Sequence, residues 1–359
     1  MPGFPRSVQA VYKENIGFES IRKRKNGHSL ELYRTEKISL EFEKNIQRQM
    51  NATPIFFAFD ENMLMPAGVC ITSLLESAEK DTFYDIFVLQ PSGCDFAATK
   101  LARLGEKYGN CRLTFRSVGS DFDGKYEVRG ITSTTYYRLA AGELIPEYDK
   151  ILYSDVDVIF REDQSKYYET DLGGNYVAGV RQLLDFVPDY KKYVTGVFGP
   201  DMARGYYYAG NMLLNLAAIR RDGLYGRFIE ESFHNYRFQD MDIVNKLCFG
   251  KILDLPPAFC LTVENYLLCQ RSGVDYMPWS GLERSEALVS GTVHYNGPKP
   301  WKEMCFNMDL WWSVYRKSIF YDEAFCLNFY SKATTVLERM SLWKRIKLAL
   351  RYFRKGGRV

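Results

Sequence analysis

The stretch Ile151-Leu152-Tyr153-Ser154-Asp155-Val156-Asp157-Val158-Ile159-Phe160 is apolar except for Ser154 and two carboxylates placed two residues apart. We interpret it as a buried strand, in which alternate side chains share one face, so Asp155 and Asp157 should point the same way. Two adjacent anions are costly unless a cation neutralises them. A divalent metal that also binds a diphosphate would do so. The alternative is an Asp-rich turn, which we disfavour because residues 158–160 continue the apolar run.

The chain upstream of this stretch alternates between strand and helix patterns. Strands are predicted at 55–59, 84–89 and 112–118, and helices at 67–78 and 97–108. This alternation predicts a parallel sheet covered by helices, which binds ligands outside the carboxyl ends of its strands. The polar groups at 60–62 and 155–157 follow two such strands, so we expect a nucleotide crevice there. The chain contains no glycine-rich phosphate loop of the usual kinds.

Four later segments carry further candidate residues. Residues 132–139 should begin a helix from which Arg138 could reach a phosphate, although most arginines are simply exposed. Residues 206–216 are interpreted as a small-residue turn into a buried strand, where Gly210 would allow a ligand to approach the backbone. Residues 238–245 open a helix with two carboxylates, which the helix dipole alone could explain. Residues 294–301 combine a histidine, a glycine and a lysine, although a lone histidine is usually structural.

The charge distribution separates the body of the chain from its end. The 359 residues have a formal net charge of +3, yet residues 339–359 hold eight basic side chains and no acidic one. The rest of the chain has 39 basic and 44 acidic residues. A mildly acidic body argues against nucleic-acid binding, and a basic tail argues for an anionic partner of its own.

The tail also has the pattern of an amphipathic helix. Leu342, Ile346, Leu350 and Phe353 are spaced by four, four and three residues, and basic residues cover the other faces. We expect this helix to lie on an anionic membrane surface. The alternative is a terminal helix packed on the domain with a solvated basic face.

Cysteine usage and hydropathy indicate a compartment. The eight cysteines include no C-x-x-C pair, so we expect reduced thiols rather than a zinc site. We find no secretory signal and no run of 18 apolar residues. The expected location is therefore cytoplasmic, with peripheral attachment to the inner face of the cytoplasmic membrane.

Taken in order, these motifs resemble those of glycosyltransferase family 8, the retaining nucleotide-sugar enzymes that include glycogenin and bacterial lipopolysaccharide galactosyl- and glucosyltransferases. The resemblance covers residues 54 to about 301. It rests on Thr-Thr-Tyr-x-Arg at 134–138, Asp-x-Asp at 155–157, Ala-Gly at 209–210, Gln-Asp-x-Asp at 239–242, and His-x-x-Gly followed by Lys-Pro-Trp at 294–301.

The resemblance implies roles for individual residues. The metal ligands would be Asp155, Asp157 and His294. The donor would bind Ala58, Asp60, Asn62, Ile131, Arg138, Asp155, Val156, Ala209, Gly210, Gly297 and Lys299. Three residues would act in catalysis: Asp240, which would hydrogen-bond the donor sugar, Arg138 and Gln182.

Three positions depart from the bacterial galactosyltransferases of the family. Gln182 stands where they have an aspartate, Tyr208 where they have an asparagine, and Met241 where they have a glutamine. The loop from His294 to Lys299 is also one residue shorter. Because the three changes surround the sugar and acceptor sites, they leave the hexose and the acceptor open, with a weak preference for glucose over galactose.

We therefore expect an α/β protein with a single-domain GT-A fold, a Rossmann-like mixed sheet with helices on both faces. This domain should span residues 51–305, after an extension at 1–50 and before a helical region at 306–359 that ends in the basic tail. The expected activity is retaining transfer of glucose or galactose from a UDP-sugar to a glycan such as lipopolysaccharide, with Mn²⁺ or Mg²⁺. The alternatives are an inactive scaffold that binds UDP-sugar or glycan, and a UDP-sugar hydrolase. No nucleic-acid partner is expected.

Overall fold

A seven-stranded sheet and a two-stranded sheet organise the computed structural model, which describes residues 51–128, 130–271 and 278–354. The predicted extension over residues 1–50 lies outside the described residues. The strands are β1 (Thr53–Ala58), β2 (Tyr84–Pro91), β3 (Cys111–Val118), β4 (Lys150–Ser154), β5 (Val158–Ile159), β6 (Val177–Arg181), β7 (Tyr207–Asn215), β8 (Ile252–Asp254) and β9 (Val293–His294).

The large sheet has the strand order β3-β2-β1-β4-β7-β6-β8. Strand β1 runs parallel to β2 and β4, and β2 runs parallel to β3. Strand β7 is antiparallel to both β4 and β6, whereas β8 is parallel to β6. The sheet is therefore mixed, and the expected α/β architecture is confirmed.

Helices cover both faces of the large sheet. Strand β1 accordingly points successive apolar side chains into two different cores. Ile55 and Phe57 belong to one hydrophobic cluster and Phe56 to the other. The α-helices are α1 (Leu64–Glu76), α2 (Leu104–Tyr108), α3 (Ala141–Leu144), α4 (Ser165–Tyr168), α5 (Pro188–Phe198), α6 (Pro200–Arg204), α7 (Leu216–Arg221), α8 (Leu224–Glu231), α9 (Gln239–Leu247), α10 (Val263–Cys269), α11 (Gly281–Ser290), α12 (Met308–Lys317), α13 (Glu323–Glu338) and α14 (Leu342–Arg354).

Two predicted helices take a different form. The predicted helix at 97–108 is interrupted at Thr99, which is extended and whose hydroxyl accepts a hydrogen bond from the Leu101 amide. Two 3₁₀ turns therefore precede the short helix α2. The predicted helix at 132–139 is a 3₁₀ helix, Ser133–Ala140, which continues directly into α3.

Residues 151–160 do not form one continuous strand. Strand β4 ends at Ser154, and β5 belongs to the small sheet, where Val158 pairs with His294 and Ile159 with Val293. Residues 155–157 thus form the turn between two strands of different sheets, and the prediction of an uninterrupted strand was wrong. The apolar run continues past the aspartates because β5 pairs with β9 in a second buried core. The Ala-Gly pair, predicted in a turn, likewise lies inside strand β7.

The basic tail forms helix α14, as predicted. Its apolar side chains are not covered by the domain, since Leu342 is 71% exposed, Trp343 80% and Leu350 59%. The side chain of Phe353 lies outside the described residues. Among the described residues, no helix is both long and apolar enough to cross a membrane. All eight cysteines are free thiols, as expected.

Candidate active site

The aspartate turn is held from both sides by backbone hydrogen bonds. The Asp155 amide donates to the Gly210 carbonyl on β7 at 2.7 Å, and the Tyr295 amide donates to the Asp157 carbonyl at 2.9 Å. Since Tyr295 directly follows β9, the second bond places His294 beside the turn. The two sheets therefore meet at residues 155–157, outside the carboxyl end of β4.

Asp155, Asp157 and His294 form a compact cluster of potential metal ligands. One ligand atom from each lies within 4.8 Å of the others. His294 Nε2 is 3.2 Å from Asp157 Oδ1 and 3.6 Å from Asp155 Oδ2. Two carboxylates and one imidazole suit a divalent cation such as Mn²⁺. The predicted ligands therefore come together, although they do so from a turn and a neighbouring strand.

Electrostatic interactions favour the charged forms of two members of this cluster, Asp157 and His294. Burial alone would raise the pKa of Asp157, but Lys299 and His294 outweigh it and hold that pKa well below its usual range. Burial alone would lower the pKa of His294, but the Asp157 carboxylate raises it well above its ordinary value. Lys299 Nζ donates hydrogen bonds to Asp157 Oδ2 and to the Tyr295 carbonyl. Lys299 therefore contacts the cluster of potential metal ligands. Gly297 lies in the loop between His294 and Lys299.

Gly210 faces the cluster from inside β7. A Cβ atom at this position would lie 2.2 Å from His294 Cε1 and 2.9 Å from Asp155 Oδ2. No side chain fits without moving two of the potential ligands. The sequence-based expectation was that Gly210 allows a ligand to approach the backbone, whereas in the structure it is these two side chains that approach it.

Arg138 joins the aspartate turn to α9. Its Nη2 donates to Asp155 Oδ1 at 2.8 Å, and its Nε lies 3.1 Å from Asp240 Oδ2. Its Nη1 and Nε also donate to the carbonyls of Ala209 and Thr135. Burial would lower the pKa of Arg138, but Asp155 and Asp240 raise it. The guanidinium is thus a buried cation that orients two site carboxylates, and its contact with a donor stays a prediction.

Asp240 is a buried carboxylate in the first turn of α9. It accepts a hydrogen bond from the Thr135 hydroxyl in addition to its ion pair with Arg138. Burial raises the pKa of Asp240 to about 6, although Arg138 opposes the shift. The preceding residue, Gln239, has a positive φ of 48°, a conformation that few residues with side chains adopt. The backbone is therefore strained where it presents Asp240.

The polar group after β1 contacts the 3₁₀ helix that carries Arg138. Asp60 accepts a hydrogen bond from the Asn62 amide at 3.0 Å and another from the Thr132 hydroxyl at 2.9 Å. Ala58 is the last residue of β1, and Ile131, 40% exposed, precedes Thr132. The Asp60–Thr132 hydrogen bond therefore links the end of β1, which carries the predicted donor-binding residues Ala58, Asp60 and Asn62, to the segment that carries Ile131. Thr132 was not among the predicted site residues.

Two predicted site residues are placed differently from the rest. The Val156 side chain is packed into a hydrophobic core, so only its backbone remains for a ligand. Gln182 follows β6 and is buried. Its backbone amide donates to the Tyr206 carbonyl, whereas its side-chain Oε1 has no hydrogen-bond partner among the described residues. Its catalytic role stays a prediction.

Sequence reasoning missed three residues that hold the cluster. The Tyr153 hydroxyl donates to Asp155 Oδ1 at 2.5 Å, Cys70 Sγ lies 3.7 Å from the Asp155 carbonyl, and Cys260 Sγ lies 3.6 Å from His294 Nδ1. Tyr153 stands two residues before Asp155, a spacing that could have indicated a shared strand face. No local signal marks either cysteine.

The fold and the motifs have known relatives. The family model described as glycosyl transferase family 8 matches residues 54–305. The lipopolysaccharide 1,2-glucosyltransferase of Escherichia coli is 25% identical over 74% of this chain and 75% of its own. The glycosyltransferase GlyF of Streptococcus pneumoniae is 26% identical over 80% of this chain and 68% of its own.

A solved structure shares the fold. The crystal structure of the galactosyltransferase LgtC in complex with donor and acceptor sugar analogues superposes with a TM-score of 0.62. It is 28% identical and covers 76% of this chain and 98% of LgtC.

Proposed function

Because the chain belongs to glycosyl transferase family 8, we propose that it is a metal-dependent enzyme that moves a hexose from a UDP-sugar to a glycan acceptor with retention of the anomeric configuration. The observation that carries this proposal is the convergence of Asp155, Asp157 and His294, whose ligand atoms lie within 4.8 Å of one another. The Lys299 ammonium group, which forms an ion pair with Asp157, adds a positive charge beside this cluster. Such a site suits a diphosphate leaving group.

The donor set fits a hard divalent cation, Mn²⁺ or Mg²⁺, held by the two aspartates and the histidine. A bound cation would supply Lewis-acid stabilisation of charge on the departing UDP. Lys299, partly exposed beside Asp157, is placed to contact the same phosphates. Arg138 fixes Asp155 and Asp240 in position, and Asp60 is suited to accept a hydrogen bond from uracil.

Asp240 is the proposed partner of the donor sugar. A buried carboxylate can orient a hydroxyl group or stabilise positive charge on the anomeric carbon. No general base for the acceptor is obvious from the sequence. In a front-face reaction the departing phosphate takes the acceptor proton, so none is required.

The identity of the sugars is a finer part of the proposal. We favour glucose over galactose as the donor hexose, because Gln182 and Tyr208 replace the residues of the family's galactosyltransferases. Tyr208 is buried and accepts a hydrogen bond from the Thr262 hydroxyl at 3.1 Å. Lipopolysaccharide or another surface polysaccharide is the proposed acceptor class.

Helix α14 supports a proposed location on the inner face of the cytoplasmic membrane. Its exposed Leu342, Trp343, Ile346 and Leu350 alternate with Lys344, Arg345 and Lys347. A basic helix with exposed apolar side chains binds well in an anionic interface. An enzyme held there would meet a lipid-linked acceptor.

Product analysis tests the proposal. The protein is incubated with UDP-glucose or UDP-galactose and Mn²⁺, with and without candidate glycans. A glycosylated product supports transfer. Free hexose without a glycoside would instead indicate a hydrolase, and binding without turnover would indicate a scaffold.

A further inference from the structure

The two ring nitrogens of His294 have different surroundings. Nε2 faces the carboxylates, 3.2 Å from Asp157 Oδ1 and 3.6 Å from Asp155 Oδ2. Nδ1 faces away from them and lies 3.6 Å from Cys260 Sγ. Both His294 and Cys260 are buried. The side of the ring that does not face the metal cluster is therefore in contact with a thiol.

We infer that Cys260 positions His294 as a metal ligand: Nδ1–H donates a hydrogen bond to Cys260 Sγ, which leaves the lone pair of Nε2 directed at the cation. The inference rests on the metal dependence of the proposed function. A neutral imidazole carries one donor and one acceptor nitrogen, and the partner of one decides the role of the other. Metal-binding histidines usually donate their second nitrogen to a carboxylate, a carbonyl or water. In this chain sulfur takes that place.

The backbone fixes the sulfur relative to the ring. The Leu261 amide donates to the Thr292 carbonyl at 2.7 Å, the Thr292 amide donates to the Ala258 carbonyl at 2.7 Å, and the His294 amide donates to the Leu261 carbonyl at 3.1 Å. These bonds join the segment before α10 to strand β9 on both sides of Cys260. The contact between sulfur and imidazole is therefore set by main-chain pairing rather than by a flexible side chain.

Gly210 restricts the ring on another side. A single added Cβ there would come within 2.2 Å of His294 Cε1 and 2.8 Å of Nδ1. The imidazole is thus held between a glycine of β7 and the thiol of Cys260. It has little room to rotate, which is the condition for a ligand presented in one orientation.

Cys260 does not act as a ligand itself. The cluster of potential ligand atoms among the described residues contains the two aspartates and the histidine but no cysteine. The sulfur contacts Nδ1, whereas Nε2 is the ring nitrogen that lies beside the carboxylates. Its role is exerted through His294, so it is a positioning residue.

Metal affinity of the full-length protein tests this role. The free concentration of Mn²⁺ is measured by electron paramagnetic resonance during titration, with Mn²⁺ alone and with Mn²⁺ plus UDP. We expect Cys260→Ala to weaken Mn²⁺ binding by about 10- to 100-fold, the range seen for loss of a ligand's hydrogen-bond partner. Cys260→Ser, which keeps an acceptor at the same place, should retain most of the affinity. Cys248→Ala is the matched control, because Cys248 is equally buried but lies in the core on the opposite face of the sheet.

A second readout does not depend on how well the alanine variant folds. The chain has only three histidines, so ¹⁵N-histidine NMR of the Mg²⁺-loaded wild type can read the tautomer of His294 directly, with His28→Gln and His234→Gln used for assignment. A proton on Nδ1 is expected. A proton on Nε2, or equal Mn²⁺ affinity in Cys260→Ala, Cys248→Ala and wild type, would overturn the inference alone. Failure of the wild type to bind Mn²⁺ would overturn it together with the proposed metal dependence.

Discussion

The Nε atom of Arg138 lies 3.1 Å from Oδ2 of Asp240, and the same guanidinium donates to Asp155 at 2.8 Å. One buried cation therefore connects a potential metal ligand on the aspartate turn with the first turn of α9. It holds the cluster of potential metal ligands and the proposed sugar-binding carboxylate in one relative geometry.

Removing this cation should destabilise the protein. Arg138→Met would leave two carboxylates without their buried partner, and breaking a buried ion pair typically costs about 3–5 kcal/mol. We expect the free energy of unfolding, measured by urea denaturation at pH 7, to fall by about this amount. Lys191→Met is the control, because its ion pair with Asp185 is exposed on both sides and should contribute less than about 1 kcal/mol. Equal effects of the two substitutions would refute the connecting role of Arg138.

The raised pKa of Asp240 predicts an acid limb in the rate profile. Burial raises this pKa from 3.8 to about 6, so Asp240 becomes protonated and loses its negative charge as the pH falls through about 6. The activity should fall there, since the proposed role needs the charged form. The free energy of unfolding depends on pH in the opposite sense. The stabilising contribution of the raised Asp240 pKa is complete below pH 3.8 and disappears as the pH rises through about 6. Rates measured between pH 5 and 8 check the limb, and a flat profile would contradict it.

Asp240 should matter more for the chemical step than its neighbour Met241. We expect Asp240→Asn to lower kcat by about 100-fold or more, the scale typical of losing one preorganised electrostatic partner. Met241→Ala should change the KM for the acceptor more than kcat, because a thioether is a poor nucleophile for this task. Steady-state kinetics with both substrates separate the two effects. A large loss of kcat in Met241→Ala beside a mild Asp240→Asn would reverse the assignment.

Gly210→Ala should disrupt the proposed metal site without unfolding the protein. The added methyl group would meet His294 and Asp155, so we expect Mn²⁺ affinity and activity to fall by at least about 100-fold, as for a misplaced ligand. Gly196→Ala is the matched control. A Cβ there meets nothing within 4 Å, and Gly196 lies inside helix α5, where the change should stabilise by about 0.4–1 kcal/mol. Normal metal binding by Gly210→Ala would show that the ring can move aside.

Helix α14 should bind anionic vesicles. Each basic residue near such a surface contributes about 1 kcal/mol, and the tail has eight of them. Sedimentation with phosphatidylglycerol and with phosphatidylcholine vesicles compares the full chain with a version that ends at Glu338. We expect salt-sensitive binding of the full chain to the anionic vesicles alone. Equal binding of both versions, or of neither, would assign α14 no membrane role and make a soluble acceptor the better hypothesis.

Much of the fold follows from local patterns. The strands before residue 120 were predicted nearly to their observed ends. Strands β1 and β2 are buried, mostly apolar runs, whereas β3 alternates apolar and polar residues. A turn at 155–157 was considered and disfavoured because residues 158–160 continue the apolar run. That run instead belongs to β5, which leaves the large sheet to pair with β9 more than 130 residues later. No local pattern records such a partner.

The candidate site, like the fold, was predicted only in part. The resemblance to glycosyltransferase family 8 implied which residues would meet, and the structure brings Asp155, Asp157 and His294 together. The spacing of Tyr153 and Asp155 could have indicated one supporting contact, but the contacts of Cys260 and Thr132 were not predictable. Cys260 lies 34 residues from His294 and belongs to none of the motifs. Thr132, 72 residues from Asp60, contacts it only through the folded chain.

We propose that the cluster of Asp155, Asp157 and His294 binds a divalent metal that UDP-hexose transfer requires. The most direct measurement is glycoside formation from UDP-glucose and UDP-galactose in Mn²⁺, in EDTA, and in the Asp157→Ala variant, with the product's anomeric signal read by NMR. We expect an α-linked product in Mn²⁺, formed in larger amount from UDP-glucose, and a fall in activity of at least about 100-fold in EDTA and in the variant. Full activity in EDTA or in Asp157→Ala, or a β-linked product, would contradict it.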